Sequence, residues 1–244
     1  MSSEVAVVVG ASGALGSAIT RRLVDAGLPV VAVARKAPAD GPGVTGCAAD
    51  IGTEEGAAAI ADAVGGRPVR MVVQAAGLPA TGPLETIDPD ALGHVVALKV
   101  GGLLRLVRAV DGRLREGSRI VALGGHFGSE PAPYACAAGV TNAGLANLVR
   151  QLAVAYGPRG VTVHLVAPGP ADTPRLRGLA GQAAQRRGVA VEDVLAERAA
   201  ESPLGRLVTP EEVAWAVTSL LAPEASALHG ATLALDLGAR KGLF

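Results

Sequence analysis

The run Val5-Ala6-Val7-Val8-Val9-Gly10-Ala11-Ser12-Gly13-Ala14-Leu15-Gly16 decides the fold class. Five consecutive apolar residues, four of them β-branched, read as a strand buried on both faces. Glycines at 10, 13 and 16 break the run, and a helix follows through about residue 26. A buried strand turning straight into a helix is the first half of a βαβ unit. Working outward, the pattern repeats, with strands expected at 29–34, 44–48, 69–73, 119–123, 161–166 and 231–235. Helices are expected at 53–64, 138–156 and 209–221, and 88–115 reads as one long helix or two abutting ones. Helical crossovers of this length imply right-handed connections, so the expected fold class is α/β: a Rossmann-type doubly wound parallel sheet of about seven strands, covered by helices on both faces. The polar, arginine-rich stretch 173–201 fits no strand and is expected to be a substrate lid.

Composition narrows the function classes. The 244 residues suit one domain spanning 1–244. Half are hydrophobic but only 2% aromatic, so the core must come from Ala, Val and Leu. Twenty-two basic and 22 acidic residues cancel, which argues against a nucleic-acid partner. Three lysines (Lys36, Lys99, Lys241) stand beside nineteen arginines, a bias that carries little chemistry by itself. Two cysteines, Cys47 and Cys136, make neither a disulfide framework nor a metal cluster. No apolar run approaches the ~20 residues of a membrane span, and Met1-Ser2-Ser3-Glu4 has no leader character. A cytoplasmic protein with a small-molecule substrate, no metal, and neither a membrane nor a nucleic-acid partner is the expectation.

The glycine turn sits where a strand hands over to a helix N-terminus. There it permits a tight turn, close approach of a pyrophosphate and close helix–sheet packing. Gly10, Ser12, Gly13, Ala14, Leu15 and Gly16 are therefore candidate cofactor contacts. At the end of the second strand, Ala34-Arg35-Lys36 offers two cations where a carboxylate would hold a ribose 2′-hydroxyl. Arg35 and Lys36 point to a 2′-phosphate and hence to NADP(H); the alternative is a solvated basic pair in a loop.

The chain resembles a short-chain dehydrogenase/reductase over essentially its whole length. Its turn is similar to the family's T-G-x-x-x-G-x-G, with Val9 for Thr, a glycine at 13 and Ala14 at the usual middle position; it also resembles G-x-x-G-x-x-G. Ala49-Asp50-Ile51 resembles the adenine-contacting segment, and Gln74-Ala75-Ala76-Gly77 stands in the N-N-A-G place. Pro168-Gly169-Pro170-Ala171-Asp172-Thr173 resembles P-G-x-x-x-T, which holds the nicotinamide carboxamide. The resemblance thus adds Asp50, Ile51, Ala76, Gly77, Pro168, Gly169 and Thr173 as cofactor contacts. Pro203-Leu204-Gly205-Arg206, Pro210-Glu211-Glu212-Val213-Ala214 and Asp236-Leu237-Gly238 resemble the C-terminal signatures. The resemblance also implies a homodimer or homotetramer, built on the Ala-, Gly- and Leu-rich surfaces of 88–115 and 138–156.

The family's chemistry rests on Asn, Ser, Tyr and Lys. Aligning Asn142-Ala143-Gly144-Leu145 with K-A-G/A-L/V puts Asn142 at the Lys position and Ala138 at the Tyr position. Gly125 then falls at Ser, thirteen residues before Ala138, and Lys99 at Asn. The resemblance therefore implies a divergent member without the four usual residues, in which lysine and asparagine have exchanged places. Lys99 and Asn142 are expected to act on a ribose or substrate oxygen, with His126 or Tyr134 supplying a proton. Three readings stay open: an NADPH-dependent reductase with a rebuilt site, a non-redox cyclase, dehydratase or isomerase, and an inactive nucleotide-binding scaffold. Reducing an isolated ketone makes an alkoxide of pKa about 16, whereas a quinone yields a phenolate-like anion near 10, a difference worth roughly 8 kcal/mol. A site without Tyr and Ser suits conjugated or polycyclic carbonyls and quinones. Glycine and alanine at 125 and 138 leave room for them.

Overall fold

The computed structural model describes residues 3–79 and 82–242. Seven strands form one sheet: β1 (Val5–Val9), β2 (Val30–Ala34), β3 (Val44–Ala48), β4 (Val69–Gln74), β5 (Leu114–Leu123), β6 (Thr162–Pro168) and β7 (Thr232–Leu235). Their order is β3-β2-β1-β4-β5-β6-β7 and every pairing is parallel. The period of two along β1 divides the core into two layers. Val5, Val7 and Val9 face one way, against Ile60 of α2 (Glu54–Val64), Leu106 of α4 (Gly102–Val110) and Leu145 of α5 (Cys136–Tyr156). Ala6 and Val8 face the other, against Ile19 of α1 (Ala14–Asp25) and Val213 of α8 (Pro210–Ser219). The expected doubly wound α/β fold is the one observed.

Local chemistry fixes the helix starts. Thr53 caps α2 by accepting from the Gly56 amide at 3.0 Å, and Glu54 and Glu55 fill its first turn. A reciprocal capping box, Thr209 with Glu212, opens α8. The end of the helical stretch 88–115 and the start of β5 needed revision. The stretch 88–115 contains α3 (Pro89–Val96), a π-helical turn at Ala97–Gly101, α4 and a short 3-10 turn, and β5 already begins at Leu114. The strand's start was hidden by polar Arg115-Glu116-Gly117-Ser118, which bulges so that Leu114 pairs with Val69 while Arg119 pairs with Met71. Residues 173–201 form α6 (Pro174–Arg187) and α7 (Val191–Ala200), packed on each other through Ala180, Ala184 and Val194.

The sheet's order reverses between β1 and β4, and the crevice at their carboxyl ends is bounded by the glycine turn. Gly10 has φ +83°, and a Cβ there would come 2.7 Å from the Ala75 carbonyl carbon. A Cβ on Gly16 would lie 2.1 Å from the Gly10 oxygen, a backbone atom that cannot swing aside. Gly16→Ala is therefore expected to lose about 1–3 kcal/mol of stability in urea unfolding. Gly66→Ala, where a Cβ meets nothing within 4 Å, is expected to stay within about 0.5 kcal/mol of the parent or gain slightly.

Candidate active site

The first helical amides of α1, Ala14 to Gly16, find no acceptor in the described chain, and α1 has no side-chain cap and no acid in its first turn. A helix terminus left in this state is complementary to a phosphate. Ser12 is exposed beside it. Arg35 and Lys36 follow directly on β2, both exposed, and no carboxylate pairs with either among the described residues. Across the crevice, the Asp50 carboxylate accepts from the Gly52 amide at 2.8 Å while Ile51 is buried in the first core layer. Ala76 donates its amide to the Gln74 side-chain oxygen at 3.2 Å, which shapes the loop leading to Gly77. Pro168 ends β6, Gly169 donates to the Leu235 carbonyl at 3.0 Å, and the Thr173 hydroxyl caps α6 by accepting from Leu176 at 3.2 Å. Free amides, two unpaired cations and a glycine cradle fit a phosphorylated dinucleotide.

Four candidate catalytic residues lie at or near the carboxyl ends of β4–β6. Lys99 sits on the π-helical turn and is only 6% exposed. Its ammonium lies 3.4 Å from the Asn142 Oδ1 of α5, so the two residues proposed to have exchanged places are in contact. The Asn142 amide nitrogen is 2.8 Å from where a Cβ on Gly125 would stand, and Gly128 is similarly tight against it. Glycine at both positions is thus the condition for Asn142 to hold its place. His126 is buried in the short turn after β5; burial pushes its imidazole below the ordinary value, opposed by Glu201, by Asp236 and by a hydrogen bond to the Pro168 carbonyl. Tyr134 is exposed, and its hydroxyl accepts from Arg198 of α7 at 3.0 Å, with that guanidinium 4.7 Å above the ring. His164 and His229 make framework hydrogen bonds, to Thr162 and Leu228 and to Val163 and Ala153.

Arg175 escaped the sequence reading, and Gln74 was read only as the first residue of the N-N-A-G-like stretch. Gln74 is fully buried with an unpartnered Nε2. Arg175, two positions past Thr173, reaches from the first turn of α6 to the Leu78 carbonyl. The only signal for Arg175 is a cation at the positive end of a helix, an unfavourable placement worth ~0.3–1 kcal/mol. Among the described residues no cluster of potential metal ligands occurs, and no helix is long and apolar enough to cross a membrane.

Burial lowers the Lys99 pKa from 10.5 to about 8, with a smaller push from the Arg175 charge. Below about pH 8 the ammonium is charged in both folded and unfolded chains, and burying it opposes folding. Between about 8 and 10.5 the folded chain has released the proton and the unfolded chain has not, so stability rises with pH. Urea unfolding across this window is expected to show a gain of roughly 3 kcal/mol that is missing in Lys99→Met.

Comparison with known proteins identifies the family. The family model described as enoyl-(acyl carrier protein) reductase matches residues 10–240. A cis-4-hydroxycyclohexanecarboxylate dehydrogenase of Sinomonas cyclohexanicum is 33% identical, with 96% of each chain covered. The short-chain reductase protein NovJ of Streptomyces niveus is 32% identical over 96% of this chain and 93% of its own. Among solved structures, L-sorbose reductase from Gluconobacter frateurii, complexed with NADPH and L-sorbose, superposes with a TM-score of 0.90 at 25% identity, covering 98% of this chain and 97% of that one. The chain belongs to the short-chain dehydrogenase/reductase superfamily.

Proposed function

We propose that this protein is an NADP(H)-dependent oxidoreductase with a non-standard site, acting on a conjugated or polycyclic carbonyl or quinone. The observation that carries the reading is the Lys99–Asn142 contact: a buried ammonium, held by an amide and paired with no carboxylate among the described residues, on the side of the sheet's carboxyl ends, where this fold binds its ligands. The nicotinamide cofactor, when bound, supplies the hydride. Everything else falls to the chain's own side chains. Asn142 orients the ammonium, and Lys99 faces the oxygen on which negative charge develops. Such a group, desolvated beforehand, stabilises an oxyanion more strongly than a solvated one.

The same pair bears on the source of the proton. A group of pKa about 8 is protonated at neutral pH yet releases its proton readily, the compromise that general acids need. His126, pushed below the ordinary imidazole range, is mostly neutral there and is the poorer acid. The Tyr134 hydroxyl is held by Arg198. These contrasts favour Lys99 as the proton donor, with His126 lining the site. The α6–α7 hairpin serves as the lid. NADP(H) is favoured over NAD(H) by the unpaired Arg35 and Lys36, and the NADPH complex of the sorbose reductase is consistent with that choice.

NADPH is expected to bind more tightly than NADH, and Arg35→Asp to abolish the difference; equal affinities in the parent would contradict the assignment. With NADPH as reductant, 1,4-naphthoquinone should be reduced faster than acetophenone, as followed by loss of the cofactor's absorbance. Lys99→Met should lower kcat about 100- to 1,000-fold while NADPH still binds, and the descending limb near pH 8 should persist in His126→Ala. Turnover of Lys99→Met at the parent rate would exclude the mechanism. NADPH binding without reduction of any quinone or carbonyl would favour an inactive scaffold.

A further inference from the structure

Two cations converge on the crevice without a counter-charge. Among the described residues, the hydrogen-bond partner of Lys99 is the Asn142 amide oxygen. Arg175 donates to the Leu78 carbonyl, 97 residues away in the chain, and its guanidinium stands 4.0 Å from the Cβ position of Gly77. The two are close enough for the Arg175 charge to act on the Lys99 ammonium. Asp172, three residues before Arg175, is engaged elsewhere, holding Arg177 in a two-pronged pair at 2.9 Å. Among the described residues, no carboxylate pairs with Lys99 or Arg175.

The contrast between Arg175 and Arg177 is informative. Both stand in the first turn of α6, where the helix dipole disfavours a cation. Arg177 is neutralised by Asp172. Arg175 is instead extended across to the β4 loop, and it is exposed, so a ligand can reach it. A carbonyl oxygen satisfies one N–H of a guanidinium and leaves the rest of its planar fork for a second acceptor.

We propose that Arg175 anchors an anionic group of the substrate, a carboxylate matched to its fork, while Lys99 attends to the reacting oxygen. The substrate class is then a carbonyl compound that carries a carboxylate on the same skeleton. This assignment rests on the oxidoreductase reading for the identity of the reacting group, but the anion site itself does not require turnover. The other anion that could reach Arg175 is the cofactor's own pyrophosphate, and the test separates the two.

The probes are 2-naphthoate and 2-naphthamide, matched in shape and differing in charge, titrated calorimetrically into protein saturated with NADPH. The parent should bind the naphthoate more tightly. Arg175→Gln should weaken naphthoate about 10- to 100-fold, as expected for loss of a charged hydrogen bond, and leave naphthamide and NADPH unchanged. Arg175→Lys should recover part of the loss. If naphthoate binds no better than naphthamide, or if Arg175→Gln weakens NADPH and not naphthoate, the proposal is overturned, the second result assigning Arg175 to the pyrophosphate. A protein that reduces no carbonyl yet shows the expected naphthoate pattern would refute the oxidoreductase reading and leave the anion site standing.

Discussion

The contact between the turn after β1 and the end of β4 governs the rest of the molecule. Gly10 places its backbone so near Ala75, and Gly16 so near Gly10, that no side chain fits at either position. That closeness draws α1 against the sheet and leaves its first amides facing the crevice. It also sets the height from which the loop after Gln74 departs. Each element that contributes to the site — the β2 end, the π-helical turn, the start of α5, the first turn of α6 — is placed relative to that contact by the parallel register of the sheet.

Burying an ammonium beside an amide is an expensive arrangement in a core otherwise made of Val, Ala and Leu. The surroundings accommodate it in specific ways. The π-helical turn widens the helix at Ala97–Gly101 and carries Lys99 inward. Glycine at 125 and 128 gives Asn142 the space to meet it. A side chain at either glycine would meet Asn142 first.

Much of the fold was legible because its signals are local. The apolar runs of β1 and β2 each declare themselves within a few residues. The π turn between the two helices of 88–115 did not, because Ala97-Leu98-Lys99-Val100 continues a helical period and a π turn has no signature of its own. The early start of β5 was masked by a polar bulge. Within the site, Lys99 and Asn142 could be matched by register, since both lie in helices whose spacing is fixed. Arg198 on Tyr134 and Arg175 on Leu78 could not. Those contacts depend on how the α6–α7 hairpin is set down, and a surface arginine carries no record of the carbonyl or ring it will meet.

The packing inside that hairpin has one further consequence. Ala180, Ala184 and Val194 are small, and the area they remove from water stabilises the pair of helices only modestly. The two layers on the sheet hold the large clusters. Amides within residues 174–200 are therefore expected to exchange with solvent through a sub-global opening, before those of the central strands. Arg175 belongs to the hairpin and Lys99 to the elements packed on the sheet. The two positive charges are thus mounted on separately packed parts of the fold, and the spacing between them depends on how the hairpin is seated.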